Sequence, residues 1–310
     1  MLIHAPTRIP WIQLQREPRP VVPHMFVTCS FAPQRRLGNA MFTFASLIGI
    51  ARQNNMTPII DRSSPRVSIF QIVDETSDNL ENTLSASSVV DYSERKGLAC
   101  TYDAATRYLL RAVNRTELAP TNVRLCCYFQ SWRYFDQFAD RVRQNFWFRE
   151  PVAAEADAFL SSVPKRQNAT RVGVHVRRGD MVGAYLSGYT VAPPDYFRSA
   201  MRYFTERYRN VQFIVCSDYI AWCRKNLPAL VDSAADVEME FSEGRFGHVD
   251  LAILARCDHI VMSVGTFGWW AAWLANGTTV YYADWPRPAT MLSEHCNKSD
   301  YFPPHWIGMR

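Results

Sequence analysis

The sequence predicts an α/β protein whose second half is Rossmann-like. Three observations predict it. From about residue 170 onward, short apolar runs alternate with helical patterns, the signature of parallel strands joined by helices. One of those runs, Arg171-Val172-Gly173-Val174-His175-Val176, ends abruptly in Arg177-Arg178-Gly179-Asp180. A second strand–glycine loop–helix–strand pattern lies near the amino terminus. At 310 residues the chain is long for one hydrophobic core and comfortable for two. With 48% apolar residues and 13% aromatic, both cores can be filled, which excludes a disordered or fibrous chain.

Taken in order, Met1–Pro23 carries five prolines and reads as an extended lead-in. Met25–Ser30 is the first strand, followed by a basic turn through Gln34, Arg35 and Arg36 to Leu37-Gly38-Asn39. Met41, Phe42, Phe44, Ala45, Leu47, Ile48 and Ala51 then recur at helical spacing to about Asn54, and Pro58–Ile60 begins the next strand. Residues 63–122 read as irregular with a helix near Thr101–Val113. Val123–Phe129 resumes as a strand, Ser131–Phe148 reads as helical, and Pro151 sits at a helix start. Pro164–Thr170 is a polar linker. The expected division is a lead-in over 1–24, a first α/β domain over 25–160 and a second, Rossmann-like domain over 161–310.

In the second half the helices fall at Pro194–Tyr208, Ala221–Asn226, His248–Ala255 and Thr266–Ala275. The strands fall at Val211–Ser217, Ile260–Met262 and Thr279–Tyr282.

Composition narrows the function. The net charge of +5 permits an anionic ligand but lacks the Lys/Arg runs of a nucleic-acid binder. The eight cysteines contain no Cys-x-x-Cys pair, which speaks against a zinc ribbon or a thioredoxin-type site and leaves their pairing open. Five Asn-x-Ser/Thr sequons, at Asn55, Asn114, Asn168, Asn276 and Asn297, lean towards the secretory pathway. No apolar run is long enough to span a bilayer, and Met1–Pro23 lacks the apolar core of a signal peptide, so targeting is expected to rest on a segment missing here or on an unconventional one.

Three clusters carry chemistry. In an open α/β sheet, ligands sit beyond the carboxyl ends of the strands, and two guanidinium groups there with a close-approach glycine suit a diphosphate. His175, Arg177, Arg178 and Asp180 are therefore the first candidates. An arginine pair neutralised by surface carboxylates is the plainer alternative. Asp250 lies early in a predicted helix, where it either caps the helix or accepts the N–H groups of a guanine edge. Ser263-Val264-Gly265-Thr266 lies between a strand and a helix, a turn that forms either an ordinary cap or a phosphate cradle. Trp269 and Trp270 read as core rather than as a sugar platform. No Asp-x-Asp tripeptide occurs, so arginines and helix N-termini, not a metal ion, are expected to neutralise a leaving diphosphate.

These residues resemble a known family. His175-Val176-Arg177-Arg178-Gly179-Asp180, the Gly265-Thr266-Phe267-Gly268 region behind His259–Met262, and Leu37-Gly38-Asn39-Ala40-Met41-Phe42 are similar, in that family's order, to motifs of the animal galactoside alpha-1,2-fucosyltransferases (glycosyltransferase family 11). Ala221–Asn226 and Ala271–Leu274 fit as well. The resemblance implies a GT-B-like fold, two Rossmann-like domains facing a cleft. It also implies GDP-fucose as donor, a terminal beta-galactose as acceptor, inversion at the sugar, and neither metal nor cofactor. By the same resemblance Arg177 binds the beta-phosphate, His175 lies near the diphosphate, Asp250 reads guanine and Thr266 holds a phosphate. Gly38 and Asn39 approach the donor from the other domain, with Arg178 beside the diphosphate and Asp180 a candidate base. The family also implies a Golgi-lumenal, type II membrane glycoprotein. Alternatives are a fucosyltransferase acting on a protein or core glycan, and an inactive nucleotide-sugar or glycan-binding protein of the same fold.

Overall fold

A computed structural model describes residues 25–29 and 36–310, apart from 63, 67, 81, 83–87, 95–99, 114–120, 165–167, 185–187, 232–236 and 245. The lead-in, Gln34, Arg35 and the sequon at Asn114 lie outside the described residues.

Two wholly parallel sheets organise the chain. The first holds β1 (Phe26–Cys29), β2 (Thr57–Asp61), β3 (Glu75–Ser77), β4 (Val89–Tyr92) and β5 (Asn122–Leu125) in the order β3-β2-β1-β5-β4. The second holds β6 (Thr170–Val176), β7 (Val211–Ser217), β8 (Val237–Phe241), β9 (His259–Met262), β10 (Thr279–Tyr282) and β11 (Ile307–Met309) in the order β11-β10-β9-β6-β7-β8. Counted from β6, this is the doubly wound order 3-2-1-4-5-6, and its direction reverses between β6 and β9. That reversal leaves a crevice beyond the carboxyl ends of these two strands, where Arg177 and Ser263 begin.

Among the described residues, the longer helices are α1 (Leu37–Gln53), α2 (Ala139–Asn145), α3 (Glu150–Ser162), α4 (Pro194–Thr205), α5 (Ile220–Asn226), α6 (Gly247–Leu254) and α7 (Thr266–Ala275). Most residues of α1 are buried, including Ala40, Met41, Phe42, Phe44, Leu47 and Ile48, and α7 buries Trp269 and Trp270 completely. A helix apolar on all sides belongs inside a protein. Here the two helices meet each other: the Phe42 ring lies 4.5 Å from Trp269 and 5.1 Å from Trp270. The cores of the two halves are therefore continuous through α1 and α7. A disulfide between Cys100 and Cys296 ties the halves together at a second point.

Several expectations change. The strand expected over 123–129 stops at Leu125, because Phe129 has a left-handed φ of 49° that no strand accommodates. The helix expected over 131–148 is two short 3-10 turns, Trp132–Tyr134 and Asp136–Phe138, followed by α2. Near 101–113, a 3-10 turn at Ala104–Tyr108 precedes one helical turn at Leu109–Ala112. Strands β3, β4 and β11 carry no clear alternation and are recognisable only through their partners, whereas β8, Val237-Glu238-Met239-Glu240-Phe241, alternates apolar and polar residues strictly.

The expected boundary between residues 160 and 161 also moves, because it cuts through α3. That helix packs on α6 of the second half, with Arg256 paired to Asp157 at 2.6 Å and Arg171 donating to the Leu160 carbonyl at 2.8 Å. Burial of its apolar face, through Val152, Ala156 and Leu160, together with the packing on α6 assigns α3 to the second half.

Candidate active site

A cavity of about 750 Å³ opens between the two sheets at the carboxyl ends of β6, β7 and β9. Gly38, Asn39, His175, Arg177, Asp180, Asp250 and Thr266 all line it. Residues up to 228 positions apart in the chain, from Gly38 to Thr266, thus share one wall.

Strand β6 delivers the first two side chains. It is central and covered on both faces, which demands apolar residues; Val172, Val174 and Val176 are fully buried and His175 is the polar exception at 4% exposed. Burial and the neighbouring Arg177 charge push the His175 imidazole down to about 3, so it is neutral at physiological pH. Its ring lies 5.4 Å from that of Phe267, and a Cβ on Gly268 would come 2.3 Å from its Nδ1. Gly268 is required by this close approach.

Arg177 follows at the strand end. Its backbone N–H donates to Ser263 Oγ at 2.8 Å, linking the ends of β6 and β9. Its guanidinium pairs with Asp218 at 2.7 Å and with Asp180. Asp180 also pairs with Arg36 of the first half at 2.7 Å. The guanidinium is thus held between two carboxylates, the neutralised pairing of the plainer alternative, while Arg177, Asp180 and Asp218 all line the cavity. Asp218 went unremarked in the sequence, although it directly follows β7 at the carboxyl edge where ligands are expected. Its other oxygen accepts the Arg178 N–H at 2.9 Å.

Arg178 departs from its expected role. Its side chain does not line the cavity; the guanidinium stacks over the Trp222 ring, 4.0 Å from the centroid. The reason is strand geometry: consecutive residues point in opposite directions, so only one of two adjacent arginines faces the crevice.

The first half contributes through α1. Asn39 Oδ1 accepts from Thr266 Oγ1 at 2.7 Å and from Gln130 Nε2 at 3.1 Å. Gly38 allows this approach, since a Cβ there would meet Thr266 and Phe267 atoms at 2.7 Å. Neither α1 nor α7 has a side-chain cap at its N-terminus. Two helix N-termini with free N–H groups thus meet at the cavity wall, a strong setting for an anion.

Asp250 lies in the first turn of α6, 7% exposed, and accepts a hydrogen bond from Ser242 Oγ. Burial raises its pKa, partly offset by the hydrogen bonds from Ser242 and Cys216. Gly244 beside it leaves room at its second oxygen. Such a carboxylate accepts two parallel N–H donors well. Among the described residues, no three His, Cys, Asp or Glu side chains converge as a metal-holding group.

The profile of glycosyl transferase family 11 matches residues 110–310. The chain belongs to this family. Among curated family relatives, the galactoside alpha-(1,2)-fucosyltransferase 2 of Sus scrofa is 37% identical over 193 residues, 60% of this chain and 56% of that protein. The chain spans little more than half the length of the curated relatives it matches. Among solved structures, a mutant of Arabidopsis thaliana FUT1 in complex with GDP superimposes with a TM-score of 0.58 at 12% identity, covering 88% of this chain and 73% of that one. NodZ alpha-1,6-fucosyltransferase soaked with GDP-fucose superimposes with a TM-score of 0.52 at 18% identity, covering 84% and 95%. The family 11 chain therefore has the GT-B-like architecture of two Rossmann-like sheets facing a cleft.

Proposed function

We propose that this family 11 chain transfers L-fucose from GDP-fucose to the 2-hydroxyl of a terminal beta-galactose, with inversion and without a metal ion. The observation that carries this reading is the meeting of Arg177 with the two uncapped helix N-termini at the β6/β9 switch point. Membership of family 11 and the names of its curated relatives support the choice of donor and acceptor.

The guanine edge donates its N–H groups to Asp250. The diphosphate lies against Arg177, Thr266 and the first turns of α1 and α7, with neutral His175 beside it. The acceptor hydroxyl attacks fucose C1 as the bond from C1 to the beta-phosphate oxygen breaks, through an oxocarbenium-like state, and GDP departs. Arg177 stabilises the charge that grows on the beta-phosphate, an interaction stronger in the transition state than in the ground state. The acceptor proton passes to a carboxylate or to the leaving phosphate; Asp180, on the cavity wall between Arg177 and Arg36, is the candidate carboxylate. GDP-fucose is substrate, and no resident cofactor takes part.

The same reading sets the protein in the Golgi lumen, anchored as a type II membrane glycoprotein. The Cys100–Cys296 disulfide fits an oxidising compartment. The deciding experiment measures fucose transfer to a beta-galactoside with and without EDTA, and the linkage of the product. An alpha-1,2 product that survives EDTA is expected. A different linkage moves the acceptor to another glycan or a protein, and GDP binding without transfer to any acceptor marks an inactive member of the fold.

A further inference from the structure

Between two cavity-lining residues, Tyr128 and Gln130, the chain keeps a backbone conformation that side chains rarely adopt. Phe129 has a φ of 49°, and its ring is fully buried against Tyr134 at 5.5 Å. Such a conformation persists only where its surroundings over-determine it, and it clusters at functional sites. Here both backbone groups of Phe129 are held. Its N–H donates to Glu94 at 2.8 Å, and its carbonyl accepts from Ser46 Oγ of α1 at 2.8 Å. The turn is therefore registered against α1, and it sets Gln130 beside the start of that helix.

There Gln130 meets Asn39, 91 positions away in the chain, and donates from Nε2 to Asn39 Oδ1 at 3.1 Å. Thr266 of the second half donates its hydroxyl to the same oxygen at 2.7 Å. With donors from opposite halves both aimed at Oδ1, the Asn39 amide is fixed in one orientation. Its Nδ2 is open to solvent and has no hydrogen-bond partner among the described residues, on a side chain that lines the cavity. Two N–H donors thus remain for a ligand where the N-termini of α1 and α7 meet.

We propose that Gln130 is a positioning residue: it holds the Asn39 amide with its oxygen on Thr266 and its nitrogen turned to the diphosphate. An amide released from Gln130 is free to turn over and present its oxygen, an acceptor that repels an anion. The proposal rests on the nucleotide-sugar reading of the cavity, and a double-mutant cycle separates the two. GDP affinity is titrated calorimetrically for the wild type, Gln130→Met, Asn39→Ala and the double variant. Methionine keeps the length of the side chain and removes its donor. Gln130→Met is expected to weaken GDP binding roughly threefold or more, and Asn39→Ala at least as much. In the Asn39→Ala background the Gln130 change is expected to do nothing further, because it acts only through that amide. Fucose transfer gives a second reading: with Gln130→Met the KM for GDP-fucose rises, and the KM for the beta-galactoside stays. Gln130→Ala is carried through the same cycle, so that poor folding of one variant does not decide the result. Unaltered GDP affinity in the Gln130 variants, equal weakening in both backgrounds, or an equal rise in both KM values overturns the positioning role. A wild-type protein that binds no GDP overturns the nucleotide reading itself, and this role with it.

Discussion

Each half of the molecule buries a carboxylate, and the two are put to opposite uses. In the first half Glu94, 6% exposed, accepts the Phe129 N–H at 2.8 Å and the Tyr134 hydroxyl at 3.2 Å. Tyr134 in turn accepts the Asp103 N–H, and Asp103 accepts the Tyr92 hydroxyl. That network holds the left-handed turn at Phe129. In the second half Asp250 accepts from Ser242, but its second oxygen borders the cavity beside Gly244. Burial raises both carboxylates, Glu94 to about 7. Perturbation alone therefore does not mark a functional group; capacity left open on a cavity wall does.

Four variants break or sharpen this contrast. The largest effect is expected at Arg177→Lys, where an ammonium cannot reproduce the guanidinium fork between Asp218 and Asp180. Fucose transfer should fall by roughly 100-fold with the fold intact, and near-normal turnover would remove Arg177 from the transition state. Gly38→Ala drives a methyl into Thr266 and Phe267 at the contact between the halves. It should cost about 1–3 kcal/mol in a denaturant titration. Asp250→Asn turns a two-acceptor group into one acceptor and one donor; GDP affinity should drop by roughly tenfold or more while the melting temperature changes little.

The smallest change at neutral pH is expected at Glu94→Gln, and its signature is a slope. With a folded pKa of about 7 against an ordinary 4.5, the native state holds a proton that the unfolded state has released. Stability should therefore decline as pH rises from about 4.5 through about 7, and the Gln variant should flatten that decline. Tyr134, Asp103 and Cys127 face the same carboxylate, so the comparison is made between wild type and Glu94→Gln over one pH series. An equal slope in both would place the proton elsewhere.

Much of the second half was legible because its strands are buried on both faces and read as unbroken apolar runs. The strand from Val211 to Ser217 and the helix from Thr266 to Ala275 fall where periodicity sets them. Seven of the eight candidate site residues line one cavity for a related reason: each sits at a strand end or helix start, where fold topology collects ligand groups. The short strands β3, β4 and β11 were illegible because each depends on a neighbouring strand rather than on its own pattern, while β8 was legible in the alternation Val237-Glu238-Met239-Glu240-Phe241. Asp218 was visible as the residue after an apolar run, but its pairing with Arg177 is a matter of distance, not of sequence.

The sequence by itself determined the parallel α/β class and the placement of charge beyond β6, because these follow from local burial and periodicity. Only the tertiary structure decided which of two adjacent arginines faces the cleft, and that α3 packs on α6 of the second half. Those outcomes depend on packing between segments far apart in the chain, and no local pattern records where a distant side chain comes to rest.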